Sequence, residues 1–69
     1  MPKRLLSLNA MGKIMERAGA LRISDSAKQA MAQVLEEQGK HLAQEAIKYA
    51  EHAGRRTVTN KDIELASKS

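Results

Sequence analysis

Few residues in this chain could do chemistry, and their types narrow what that chemistry is. There is no cysteine, which excludes thiol nucleophiles, disulfides and thiolate metal sites. The two histidines, His41 and His52, stand eleven positions apart, without the short ligand spacing of a structural zinc site. No Gly-rich phosphate loop and no Ser–His–acid arrangement stands out. The carboxylates mostly fall at helical spacing from a cation, as in Glu36–Lys40 and Glu45–Lys48, which is the pattern of a solvated helix face. The chain therefore reads as a binding protein and not an enzyme, with no cofactor and no metal. What remains is positive charge. Twelve Lys and Arg against eight Asp and Glu leave a net +4 and a pI near 9.8, and a dimer would carry twice that charge, enough to favour polyanions. The cations do not form one run. Lys3 and Arg4 precede the first helix, Lys13 lies within it, Arg22 sits between Leu21 and Ile23, and Arg55-Arg56 precede Thr57-Val58. Their placement on the fold has to bring them together.

The element that must position them is a single long helix. From Ser24 to about His52 the chain holds no proline and one glycine, and Ala, Gln, Glu, Lys and Leu dominate. Ser24 is a good N-cap, Asp25 favours the positive end of the helix dipole, and Ala53-Gly54 is a stop. Apolar side chains at Ala27, Ala30, Met31, Val34, Leu35, Leu42, Ala46, Ile47, Tyr49, Ala50 and Ala53 keep helical spacing. Such a helix spans roughly 40 Å, too long for 69 residues to wrap alone. Small folds usually need a staple; without disulfide or zinc, oligomerisation is the one left. Gly39 lies almost at the helix midpoint, where an interior glycine costs ~1 kcal/mol. It is either a tolerated surface glycine or a place where two copies of the helix cross closely, and the crossing is the stronger reading.

Two shorter helices flank the long one. Asn9 is expected to cap the first, with Met11, Ile14, Met15 and Ala18 as its apolar stripe and Gly19 as its stop. Ala20–Ile23 is a short extended link in which Leu21 and Ile23 suit a few residues of β-bridge, with Arg22 turned to the other side. Residues 55–58 form a second link. Thr59 then caps a last helix, with Asp62 three residues on in a capping-box-like position and Ile63, Leu65 and Ala66 as its apolar residues. The whole, residues 1–69, is one all-α domain, short helix–long helix–short helix, led in by a short basic segment at 1–8. Lys3 and Arg4 are either a frayed terminus or an extra phosphate contact. No apolar run approaches the ~20 residues of a membrane span and no signal-peptide core is present, so an intracellular soluble protein without membrane partners is expected.

This plan, with AGALRISDSA at the first link and HAGRRTVTNKDIELA at the second, resembles the histone fold, and among its members the small archaeal histones. The resemblance covers about residues 8–66. The second motif is the more specific, since a glycine, paired basics, a threonine and an aspartate at a helix start recur together. The family implies an obligate head-to-tail "handshake" dimer whose long helices cross at their centres, in which the first link of one chain lies beside the second link of its partner. By resemblance, Arg22 would enter the DNA minor groove, steadied by the partner's Thr57, while Lys13, Arg56 and the helix N-termini would meet phosphates. Arg55 and Asp62 would form an intrachain clamp on the second link. Tyr49, His52, Asp62 and Leu65 match positions where archaeal histone dimers meet in a four-helix bundle, with His52 and Asp62 in contact across it; otherwise they are ordinary surface residues.

The chain also departs from the family. Glu51 stands where many relatives carry a basic residue and Tyr49 is larger than the usual aliphatic, which bears on dimer–dimer affinity. Ser7 and Ala10 replace frequent prolines, Thr59-Asn60-Lys61 replaces a lysine-and-glutamate pattern, and Gln38 replaces a frequent methionine near the crossing. His41 reads as a solvated helix residue. The function implied is a cytoplasmic, chromosome-associated protein that binds double-stranded DNA with little sequence preference and wraps or compacts it as a homodimer, a tetramer or a longer polymer, with heterodimers with other histones as a further possibility. Two other functions compete: a histone-fold subunit of a heterodimeric transcription factor, and a histone variant that bridges duplexes instead of wrapping one.

Overall fold

The computed structural model describes residues 5–69, so Lys3 and Arg4 lie outside the described residues. Three helices follow one another: α1 (Leu8–Arg17), α2 (Asp25–His52) and α3 (Asn60–Lys68). Among the described residues there is no strand. The β-bridge expected at Leu21 and Ile23 is not made within the chain, because a ladder requires a second extended segment alongside. The 28 residues of α2 make it about 42 Å long, and it divides between two compact units, Met1–Glu37 and Gln38–Ser69.

In the first unit, Ser7 and not Asn9 caps α1. Ser7 keeps extended backbone angles (φ −78°, ψ 148°) and its Oγ accepts the amide of Ala10 at 3.0 Å. Asn9 is already inside the first turn, where a cap side chain has no free amide ahead of it to bind. The residues before the cap are tied to α2: one oxygen of Glu36 accepts the backbone N–H of Leu5 (2.7 Å) and of Leu6 (3.2 Å). Met11 and Gly12 are the buried residues of α1, and Ala32 is the buried residue of this half of α2. A second cap starts α2, where Ser24 Oγ accepts the amide of Ala27 at 3.0 Å.

In the second unit, Ala46 and Ala50 of α2 and Asp62 and Ala66 of α3 are buried. The core of each unit is thus methionine or alanine, with no large aliphatic side chain fully covered. Those side chains lie open instead: Ile14 is 44% exposed, Val34 52%, Ile47 44% and Leu65 50%.

α1 and α2 end in the same way, for the same reason. After α1, the amide of Gly19 binds Glu16 O (3.0 Å) and that of Ala20 binds Met15 O (3.0 Å); after α2, Gly54 binds Glu51 O (2.9 Å) and Arg55 binds Ala50 O (2.9 Å). This pair of bonds is the Schellman motif, which needs a left-handed residue just past the helix. Gly19 (φ 109°) and Gly54 (φ 73°) supply it, and no other described residue has positive φ. Each link therefore leaves its helix through a fixed turn rather than a loose coil.

Candidate nucleic-acid interface

The first link is released by Gly19 and recaptured by Ser24. Between them Leu21 is 98% exposed, Arg22 is exposed and Ile23 is half-buried. Leu21 and Ile23 line an open cleft of ≈ 290 Å³ together with Asn9, Lys13 and Glu16 of α1 and Lys28 of α2. The fold thus brings Lys13 and the link that carries Arg22 to one place within the first unit. Lys28 completes the cleft, and nothing in the sequence singled it out.

The second link is built around a buried carboxylate. Asp62 is 1% exposed and takes Arg55 in a two-pronged pair, Nη1 to Oδ2 at 2.8 Å and Nη2 to Oδ1 at 2.9 Å. Asp62 Oδ2 also accepts the backbone N–H of Thr59 at 2.8 Å and the Thr59 hydroxyl at 3.2 Å, so the same side chain caps α3. Arg55 Nη1 further donates to the carbonyl of Thr57 at 3.1 Å. Hydrogen bonds from Arg55, first, and then from the Thr59 amide stabilise the ionised carboxylate and hold its pKa well below the usual range, against the opposing effect of burial. The Arg55 guanidinium is pushed up in turn, chiefly by its hydrogen bonds to Asp62. Planar guanidinium and carboxylate match in this geometry as an ammonium would not.

The clamp leaves Arg56 and Thr57 exposed on the link, and among the described residues Arg56 makes no ion pair. Each of the two adjacent arginines has a different fate, one folded into the link and one presented by it. Of the other candidates, His52 and Leu65 are exposed and Tyr49 is half-buried, while the Asp62 oxygens are engaged within the chain. Gly39 lies on α2 with open space where a side chain would be: a Cβ there meets nothing within 4 Å. Among the described residues no cluster of three or more His, Cys, Asp or Glu is placed to hold a metal, and no helix is long and apolar enough to cross a membrane.

Two capped links presenting arginines, joined by one long helix with uncovered aliphatic side chains, now stand beside known proteins. The family model described as histone-like transcription factor (CBF/NF-Y) and archaeal histone matches residues 4–66. An archaeal histone HAN1 subunit of Thermococcus zilligii is 38% identical over 64 residues, which are 93% of this chain and 96% of that protein. Probable archaeal histone 3 of Methanocaldococcus jannaschii is 37% identical over 54 residues, 78% of this chain and 81% of that one. The chain belongs to the family of histone-like transcription factors (CBF/NF-Y) and archaeal histones, a family of DNA-binding proteins and not of enzymes, and its three helices are a histone fold.

Proposed function

We propose that this protein is a chromosome-associated histone that pairs with a second copy of itself and bends or wraps double-stranded DNA with little sequence preference. The observation that carries the pairing is surface left uncovered. Ile14, Val34, Ile47 and Leu65 each keep between 44% and 52% of their surface exposed, and covering such a side chain fully stabilises a fold by roughly 1.5–3 kcal/mol. The chain has no disulfide to compensate for a small core, so a second chain covering Ile14, Val34, Ile47 and their neighbours is the physical remedy.

On this reading the two long helices cross at Gly39. Seven residues, about two turns, separate it from Ala32 on one side and from Ala46 on the other, so the three share one face of α2. Ala32 and Ala46 are fully buried under their own units, whereas Gly39 between them is open. A helix that arrives there meets bare backbone. In such a dimer the first link of one chain lies beside the second link of the other. Arg22 then reaches the minor groove next to the partner's Thr57, and Lys13 and Arg56 meet phosphates. Tyr49, His52, Asp62 and Leu65 form the surface through which dimers add to one another.

Sedimentation equilibrium of the pure chain, followed by nuclease digestion of its DNA complexes, tests this. A stable homodimer and protected fragments that lengthen in regular steps, one per dimer, are the expected results. A chain that stays monomeric or unfolded alone would overturn homodimeric pairing. A dimer that protects no ladder would overturn wrapping. One observation favours a second reading, in which the partner is a different histone-fold chain: the Thermococcus zilligii relative is named as one subunit of its protein. On that reading the chain sediments as a dimer only after mixing with the other polypeptide.

A further inference from the structure

Gly12 is a glycine in the middle of a short helix, and it is buried. An interior glycine weakens a helix by about 1 kcal/mol relative to alanine, so its use here calls for a close neighbour. The neighbour is Lys28. A methyl group added at Gly12 would lie 3.2 Å from Lys28 Cε, 3.7 Å from Nζ and 3.8 Å from Cδ. The lysine stem packs over the bare Cα of Gly12, and both residues line the cleft with Asn9, Lys13, Glu16, Leu21 and Ile23. Its side chain is only 28% exposed, so most of its freedom is already lost before any ligand arrives.

The charge at the end of that stem is only weakly paired. Its acidic neighbour, Asp25, sits 3.8 Å away and is 87% exposed, a pairing that solvent largely screens. A second lysine, Lys13, lines the same cleft, against one acidic residue, Glu16. Two lysines lining a small polar opening, directly beside the link that carries Arg22, suit a phosphodiester, for which lysine serves as a compact point charge.

We propose that Lys28 is a further phosphate ligand of this protein, that it binds a DNA phosphate of its own in this cleft beside the one met by Lys13, and that Gly12 is the positioning residue that lets it reach. The proposal rests on the DNA-binding reading above and adds to it a residue outside both links. Each dimer gains two such clefts, and each neutralised phosphate steepens the dependence of log affinity on log salt by about 0.9.

The test measures binding of a fluorescent duplex across a salt series for the wild-type protein, Lys28→Gln, Lys28→Arg, Gly12→Ala and Arg22→Ala, with circular dichroism confirming that each is folded. Lys28→Gln is expected to flatten the salt slope by about 2 per dimer, equally on unrelated sequences, while Lys28→Arg retains the wild-type slope. Gly12→Ala leaves every charge in place and still weakens binding, and it has no further effect once Lys28 is glutamine. A Lys28→Gln protein with the wild-type slope, beside an Arg22→Ala protein whose slope falls, would overturn the cleft while leaving DNA binding intact. The cleft is equally overturned if Lys28→Arg behaves like Lys28→Gln, since the stem and not the charge would then matter. A wild-type protein that fails to bind duplex at all would overturn the underlying reading instead.

Discussion

Gly39→Ala separates a free helix surface from a crossing by the sign of its effect. In the single chain nothing lies within 4 Å of the added methyl. If that space stayed open, alanine would strengthen α2 by about 1 kcal/mol per chain, about 2 per dimer. Where two copies of α2 cross at this point, each methyl instead meets the partner's backbone. Overpacking a closely fitted contact costs about 1–3 kcal/mol per inserted group, which offsets the gain and leaves a net loss of up to about 4 kcal/mol per dimer. Urea unfolding followed by circular dichroism at two protein concentrations reads this directly, because the midpoint of a dimer rises with concentration. With a slope of ~1–3 kcal/mol per molar urea, effects of this size move the midpoint by about 1 M. The expected result is a lower midpoint that depends more strongly on concentration, while Gln44→Ala, an exposed control on the same helix, changes little. A Gly39→Ala protein more stable by about 1 kcal/mol per chain, with unchanged dimerisation, would refute the crossing at this residue.

The other predictions concern the links. Because the folded-state pKa of Asp62 is depressed, its stabilising contribution is complete above the carboxylate's ordinary value of 3.8 and is lost as pH falls from there towards the folded value; Asp62→Asn should lower the melting temperature near neutral pH and flatten its pH dependence on the acid side, measured by thermal scans across that range. Gly54→Ala forces a side chain into the left-handed conformation at φ 73°, costing roughly 1–2 kcal/mol, and Gly54→Asn, which tolerates that region, should cost less; urea midpoints compare the two. Arg22→Ala and Arg56→Ala should each weaken DNA binding on all sequences alike and flatten the salt slope, read by fluorescence anisotropy on two unrelated duplexes. A loss confined to one of the duplexes would mean that the arginine reads bases.

What could be read from the sequence was local. The Ser24 cap, the stops at Gly19 and Gly54 and the pairing of Thr59 with Asp62 each depend on residues within a few positions of one another, and all are in place. The cap of α1 is ambiguous in the sequence, because Ser7 and Asn9 are both good cap formers two residues apart. The backbone decides between them, and Ser7 holds the extended angles. Ala32 escaped the apolar pattern because, in a helix so rich in alanine, one more alanine gives no contrast, although it is fully buried. Lys28 and Gly12 were not legible because they meet through space, sixteen positions apart. The one signal the sequence carries for this contact is an interior helix glycine, as at Gly39.

The two glycines embedded in helices lead to one view of how this small chain is economical. Each gives up helix strength at a point where something else passes close to the backbone: the stem of Lys28 over Gly12 and, on the reading above, a second copy of α2 over Gly39. Asp62 applies a related economy to charge. A lone buried carboxylate would be costly, yet this one caps α3, grips Arg55 and through Arg55 reaches the carbonyl of Thr57. The turn that carries Arg56 is therefore set by hydrogen bonds at both its ends, Gly54 to Glu51 behind it and Arg55 to Thr57 across it. If Arg56 meets a phosphate as proposed, it does so with little further ordering, so its binding free energy goes into affinity rather than into fixing the loop. Loosening the clamp should then weaken DNA binding without removing any DNA-facing charge. Arg55→Lys, which keeps the cation but loses the two-pronged fit, is expected to bind more weakly than wild type at equal salt slope; a reduced slope would instead make Arg55 itself a phosphate ligand and undo the division of labour between the adjacent arginines.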